Sequence, residues 1–252
     1  MGKSFVFVNQ KGGVGKTTSA VNLGAYLAEA GKKVLLVDFD SQANLTSGVG
    51  LDKNTKPGVY ELITGQASPE QVIRETSVPN LWTIPSSIDL SGAAVELVEQ
   101  ERRDLFLKTA LESSHDAYDY IMIDCPPSLG VLTLNGLAAA DSVLIPMQCE
   151  YFAMEGLSLL LQTIRRIQKS LNTRLRIGGI FFTMYDQRTR LAQDVVREVS
   201  AYFREKVFAT IIPRNVRISE APSHGQPISQ YDPVSAGGKA YQSLARELTE
   251  RG

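Results

Sequence analysis

The segment Lys11-Gly12-Gly13-Val14-Gly15-Lys16-Thr17-Thr18 restricts the fold more than any other stretch of the chain. It fits the pattern G-x-x-x-x-G-K-[ST] only if Gln10 stands in for the first glycine. An apolar run, Phe5-Val6-Phe7-Val8, precedes it and a helical pattern follows. That is the strand–loop–helix context a phosphate loop requires. Glycines let successive backbone N–H groups point inward at phosphate oxygens, and a helix starting near Lys16 adds partial positive charge. In such a loop Gly12, Gly13, Val14 and Gly15 form the cradle and Lys16 reaches the β- and γ-phosphates. The Thr17 hydroxyl holds Mg²⁺, and Thr18 bonds the α-phosphate. Lys11 lies five positions before Lys16, at the wrong end of the loop to grip the same γ-phosphate easily. It reads either as a side chain projecting across a subunit boundary onto a partner's nucleotide, or as a solvated loop lysine.

Apolar runs alternate with helical patterns along the rest of the chain. Strands are predicted at 3–8, 33–38, about 80–84, 119–124, 142–147, 176–183 and 207–212. Most are continuously apolar, the mark of strands buried on both faces. Helices are predicted at about 16–30, 58–64, 68–75, 91–113, 131–140, 153–170, 189–204 and 235–250. Strand followed by helix, repeated, implies an α/β fold: a doubly wound, mostly parallel sheet with helices on both faces, as in P-loop nucleotide hydrolases. No linker or repeat interrupts the chain, so residues 1–252 read as one domain. Residues 48–80 have the weakest periodicity and read as a surface excursion.

In a parallel sheet the strand tips ending at Asp38 and Asp124 lie beside the phosphate loop. Asp124 ends a mostly apolar run and reads as the carboxylate that holds Mg²⁺, directly or through water. Asp38 and Asp40 are two residues apart and share a face if the strand continues. Asp40, nearer the open end, is the candidate to orient or deprotonate an attacking water, or to serve as a metal ligand. Asp38 is expected in the Mg²⁺ shell or bonded to the phosphate loop.

Net charge is only −1, but it is unevenly spread. Residues 161–220 hold 12 Lys/Arg against 5 Asp/Glu, so a basic segment suits a polyanionic partner. Within and beside it, Lys169, Arg188, Arg190, Arg204, Lys206 and Arg217 are candidates for DNA phosphate contacts, with Arg188-Thr189-Arg190 at a loop-to-helix junction. No recognition-helix or zinc motif is present, so the binding expected is independent of sequence. No apolar stretch is long enough to span a membrane and no signal peptide is read, so the expected compartment is the cytoplasm. Cys125 and Cys149 form no CxxC and read as buried structural thiols.

Together these residues resemble the ParA/MinD family of deviant Walker A ATPases, and within it the Soj-type chromosome-partitioning proteins. The likeness runs through Lys11–Thr18, Val34–Asp40, Tyr120–Gly130, Gln148–Leu157, Ile212–Arg217 and Ser219–Ser223. It implies ATP and Mg²⁺ as ligands and a homodimer in ATP, with Lys11 on the opposite subunit's phosphate and Gly12 at the dimer seam. Asp40 matches the hydrolytic aspartate. Pro213 and Asn215 match an adenine-binding segment, and Glu150 lies in a block expected near the ribose and the dimer interface. The resemblance implies non-specific double-stranded DNA as a ligand and association with the nucleoid. A ParB/Spo0J-type partner that stimulates hydrolysis is implied, with a link to a replication initiator for Soj-like members. One departure is Asp40-Ser41-Gln42-Ala43-Asn44 where the family often reads Asp-Pro-Gln-Gly-Asn, a change expected to loosen and reshape that loop. A MinD-like positioning protein acting on a membrane or protein cargo is the alternative. Residues 245–252 carry mixed charge and one large apolar residue, a poor amphipathic anchor. A nitrogenase-type iron protein would need its cluster cysteine several residues after Asp124, not at Cys125.

Overall fold

In the computed structural model, which describes residues 2–251 apart from Phe152, the apolar runs form one seven-stranded sheet. The strands are β1 (Lys3–Phe7), β2 (Val34–Asp38), β3 (Arg74–Glu75), β4 (Leu81–Ile84), β5 (Tyr120–Asp124), β6 (Ser142–Gln148) and β7 (Arg176–Thr183). Their order is β3-β4-β2-β5-β1-β6-β7, and all neighbours are parallel except the edge pair β3–β4. The helices are α1 (Lys16–Glu29), α2 (Asn44–Gly48), α3 (Val59–Ile63), α4 (Pro69–Val72), α5 (Leu90–Glu96) and α6 (Phe106–Leu111). Then follow α7 (Val131–Ala139), α8 (Ala153–Ser170), α9 (Arg190–Phe203), α10 (Val216–Glu220), α11 (Ile228–Tyr231) and α12 (Ala236–Glu250).

The continuous apolar strands are explained by the two layers that cover them. Side chains alternate across a strand. Val34 and Leu36 therefore enter one core, against Leu23 and Leu27 of α1 and Leu244 and Leu248 of α12. Leu35 and Val37 enter the other, with Leu137 of α7, Leu160 of α8 and Val199 of α9. Each fully buried side chain of this kind contributes about 1.5–3 kcal/mol. Helix α1 lies close against the sheet at Gly24, where an added Cβ would lie 2.7 Å from Leu36 Cδ2. Parallel pairing also sets the chemistry: Asp38 is in register with Asp124 on the neighbouring strand, at the carboxyl edge where β1 runs into the phosphate loop.

Four expectations are corrected. The predicted strand 207–212 runs beside β7 without forming a ladder: it makes one isolated bridge, Val207 to Ile180, with Phe208 N and Ile212 N donating to the Ile180 and Phe182 carbonyls at 2.8 and 2.9 Å. The Glu247 carboxylate takes the N–H groups of Ala209 and Thr210, at 2.7 and 2.9 Å, so the ladder is not continued there. The predicted helix 91–113 is broken into α5 and α6. Asn135 of α7 accepts the Leu107 N–H at 3.1 Å and donates to the Arg103 carbonyl at 2.7 Å, so it caps the second piece from another helix. The predicted helix 68–75 stops at Val72, because Arg74 turns extended into β3 while its guanidinium holds the Gln71 and Pro57 carbonyls. Residues 48–80 are more than an excursion: Val59, Leu62, Ile63 and Val72 are buried in the core. Their helices, four or five residues long, are too short to show a period.

Candidate functional site: a phosphate loop at the carboxyl edge of the sheet

The chain leaves β1, turns through residues 9–15 and enters α1 at Lys16. Gly13 and Gly15 have φ of +73° and +86°, left-handed values that only glycine adopts without strain. Side chains from the neighbouring strands hold the turn. Thr183 Oγ1, at the end of β7, donates to the Val14 carbonyl at 2.8 Å. Gln148 Nε2, at the end of β6, donates to the Gly13 carbonyl at 2.9 Å. Neither residue was among the sequence candidates, although both sit where a parallel sheet puts its functional residues.

A cavity of about 470 Å³ opens over this loop. Gly12, Gly13, Gly15, Lys16, Thr17 and Thr18 line it, and the opposite wall is Asp40, Gln42 and Asn44, with Ala221, Pro222 and Gln226 at the side. Asp40 and Lys16 are the only charged groups among the described lining residues. Lys16 is buried and its Nζ donates to the Lys11 carbonyl at 3.3 Å. Burial lowers its pKa, opposed by the negative charges of Asp124 and Asp40. Val14 is buried beneath the loop and takes part through its backbone only.

Asp38 and Asp124 are both fully buried but differ in how they are held. Asp38 Oδ2 accepts from Thr46 N at 2.8 Å and Thr46 Oγ1 at 2.7 Å, and Oδ1 from Asp40 N at 3.3 Å. It is therefore committed to α2 rather than to a metal shell or to the phosphate loop, which corrects the sequence expectation. Desolvation, partly offset by those bonds, pushes its pKa up to about 6. Asp124 has no hydrogen-bond partner on either carboxylate oxygen. Burial first, and then Asp38, raises its pKa well above the ordinary range; Thr17 and Lys16 oppose the shift, Thr17 without meeting hydrogen-bond geometry. A buried carboxylate left unpaired beside a phosphate loop fits a cation or its bound waters. Thr17 and Asp124 are thus suited to Mg²⁺, which keeps several waters and needs few protein ligands. No cluster of three or more His, Cys, Asp or Glu able to hold a metal is found among the described residues.

Asp40 follows β2 and is half-buried, facing the cavity. Its Oδ1 accepts the Gln42 N–H at 3.1 Å. Ala43 keeps a left-handed φ of 51° and is 1% exposed, at a backbone cost of about 1–2 kcal/mol for an alanine. The Thr46–Asp38 bonds anchor the same segment, and Thr46 Oγ1 also accepts the Ser86 N–H at 2.9 Å. Thr46→Val is expected to lower stability by about 2–4 kcal/mol, since it orphans a buried N–H and weakens a buried carboxylate's solvation. Urea unfolding checks this; a loss below about 1 kcal/mol would mean these bonds do not hold the loop.

Lys11 is exposed and does not line this cavity. Its Nζ forms an ion pair with Glu150, on the far side of the loop, at a second cavity of about 410 Å³ that also includes Gln10, Gln148 and Leu159. Gly12 is nearly free of neighbours: an added Cβ would meet only Pro127 Cβ, at 3.9 Å. Pro213 and Asn215 do not line the nucleotide-sized cavity. Pro213 bridges to Tyr185, and Asn215 precedes α10 with its Oδ1 buried and unpartnered; the chain reaches the cavity further on, at Ala221 and Pro222. Phe152, within the family-like block 148–157, lies outside the described residues. Cys125 is buried, and burial pushes its thiol well up; Cys149 is only half-buried, and burial pushes it up to about 11.

The six cationic candidates do not form one patch. Arg188, Arg190 and Arg217 lie toward the carboxyl edge, where α9 begins and where α10 sits. Lys169, Arg204 and Lys206 lie at the opposite edge, at the ends of α8 and α9. Arg188 is bidentate to Asp186, at 2.9 and 2.7 Å, and holds that carboxyl far below its usual range. Arg217 pairs with Glu220 at 2.9 Å and Asp232 at 3.5 Å. A run of basic sequence became two groups because a helix of 14 residues carries the chain from one edge of the sheet to the other, about 20 Å.

Comparison with known proteins agrees with this geometry. Residues 2–177 match a family model described as an AAA domain. The chromosome-partitioning ATPase Soj of Treponema pallidum is 65% identical over all of this chain and 98% of its own length. The sporulation initiation inhibitor protein Soj of Bacillus subtilis is 56% identical over the whole of both chains. A structure described as cobyrinic acid a,c-diamide synthase from Mycobacterium smegmatis, with bound ATP analogue and magnesium, superposes with a TM-score of 0.87 at 37% identity, covering 99% of this chain and 95% of that one.

Proposed function

This chain belongs to the Soj/ParA family of chromosome-partitioning ATPases, and we propose that it works as an ATP-dependent sandwich dimer that holds duplex DNA without regard to sequence and releases it on hydrolysis. ATP enters the cavity over the phosphate loop, its triphosphate on the N–H groups of residues 12–18 and on Lys16. Mg²⁺, when bound by Thr17 and, directly or through water, by Asp124, neutralises phosphate charge. The M. smegmatis neighbour, with its ATP analogue and magnesium, supports this pairing of ligands. Asp40 accepts the proton of the attacking water while Lys16 stabilises charge on the phosphoryl oxygens.

The observation that carries the dimer is Lys11. Its ammonium lies outside its own nucleotide cavity, in an ion pair exposed by about half on both sides, 51% and 55%. Such a pair contributes about 0–1 kcal/mol, so exchanging Glu150 for a partner's phosphate costs little. Gly12, open on its outer side, lets two loops approach. Within the same reading residues 1–252 act as one ATPase domain, a ParB/Spo0J-type partner accelerates hydrolysis, and a replication initiator is a further contact. The working compartment is the cytoplasm, on the nucleoid; no helix among the described residues is long and apolar enough to cross a membrane.

The test is retention of random duplex DNA against salt, with ATP and with ADP. Retention in ATP that falls steeply with salt, and none in ADP, is expected. Equal retention with ADP, or none with ATP at low salt, would reject the proposal.

A further inference from the structure

We propose that the amino edge of the sheet carries a second phosphate-contacting surface for duplex DNA, at the opposite end of the fold from the nucleotide; this rests on the DNA-binding reading above. A cleft of about 430 Å³ opens where β1, β6 and β7 begin. Lys3, Arg174, Arg176, Lys206 and Arg251 line it, with Asp141 as the one acid among the described lining residues. Asp141 Oδ2 is occupied by β1, accepting from Ser4 N at 2.9 Å and Ser4 Oγ at 2.7 Å. Arg251 is occupied too: it donates to the Glu205 and Val207 carbonyls, pairs with Glu247 at 2.6 Å and lies over the Phe208 ring at 4.1 Å.

The other four cations are exposed and have no ion pair or side-chain hydrogen bond among the described residues. At the carboxyl edge, by contrast, Arg188 and Arg217 pair with neighbouring acids, and of the three candidates there only Arg190 is without an ion pair among the described residues. Asp141 keeps its negative charge, because its Ser4 partners are neutral, but the four unpaired cations outnumber it and the net field favours an anion. Lys3 and Arg176 start strands two steps apart in the sheet, about 10 Å, so the charges form a row along an open edge rather than a closed cage. A row suits a polymer backbone better than a single small anion. Among the described residues none of the exposed large apolar side chains lines the cleft, so no such side chain there would insert into a lipid layer. Only charge is read by such contacts, so the binding they add is independent of base sequence.

The experiment compares the ATP-loaded wild type with a quadruple variant, Lys3→Gln, Arg174→Gln, Arg176→Gln and Lys206→Gln, by titrating random duplex DNA across a salt series. Removing four phosphate contacts should make the slope of log affinity against log salt shallower by about 3.6, so that affinity falls about 100-fold less between about 50 and 200 mM salt. A variant restoring positive charge at 174 and 176 as lysine should recover about half of that slope. Thermal melting and ATP affinity of the quadruple variant should match the wild type, which excludes misfolding as the cause. An unchanged slope overturns the inference while leaving DNA binding itself intact. Loss of binding to anionic phospholipid vesicles with DNA slope unchanged would also overturn it, assigning the edge to lipid. A wild type that binds no DNA would instead reject the function proposed above.

Discussion

Asp40→Ala is expected to lower ATP turnover by about 10²- to 10⁴-fold, the usual range for losing a positioned general base. The proposed cycle gives that role to Asp40, and its surroundings support it. Asp38 cannot take its place, because both of its oxygens are held by α2 and the Asp40 backbone. Asp124 is fully buried and does not line the cavity. Asp40 is the one acid lining the cavity among the described residues, and only its Oδ1 carries a hydrogen bond, from Gln42 N. Losing that exposed bond costs about 1 kcal/mol, so the variant should stay folded and keep ATP affinity within about threefold. Single-turnover hydrolysis and equilibrium ATP binding check the two halves separately. A turnover loss below about tenfold would move the base elsewhere. Under the proposed cycle the same variant should remain on DNA in ATP, because release waits for hydrolysis.

Lys16→Ala should weaken ATP binding by about 10²- to 10⁴-fold, since each charge-assisted bond to a phosphate is worth about 1.5–3 kcal/mol and the β- and γ-phosphates both depend on it. Lys16 is already desolvated in the free protein, and Asp124 and Asp40 are what favour its charge there. Much of the cost of stripping water from the ammonium is therefore met in folding, so the gain appears on binding. The variant should melt close to the wild type without nucleotide and lose the stabilisation that saturating ATP gives the wild type. Isothermal titration and melting with and without ATP measure this. Binding within tenfold of wild type would mean the loop N–H groups, not Lys16, carry the affinity.

Seven strands were expected, and six of these lie within a residue or so of their predicted bounds, because a strand buried on both faces leaves a continuous apolar run. The seventh, 207–212, was equally apolar. What undid it was Glu247, 35 or more residues away in sequence, capturing two of its N–H groups. Asn135 caps the start of α6 in the same remote way, where one continuous helix was expected. Edge strand β3 left no signal, being two residues long. The phosphate loop and the acids ending β2 and β5 stand at the carboxyl edge where their residues placed them, because each is marked by its own contiguous run. The hold that Gln148 and Thr183 have on the loop was not legible, because they reach it from other strands; Gln148 opens a family-like block, but nothing in that block says which loop atom it bonds.

The order of residues was thus enough to specify a phosphate loop between strand and helix, the alternating α/β pattern and the acids at strand ends, all properties carried by contiguous stretches. Packing alone settled which acid is free. Asp38 and Asp124 occupy matching positions on adjacent strands, yet one meets Thr46 and the other meets no partner. Packing also split the basic segment between the two edges of the sheet, because a helix returns the chain to the end where its strand began. Hydrogen-bond partners and surface neighbours are set by distance in space, which a linear pattern does not contain.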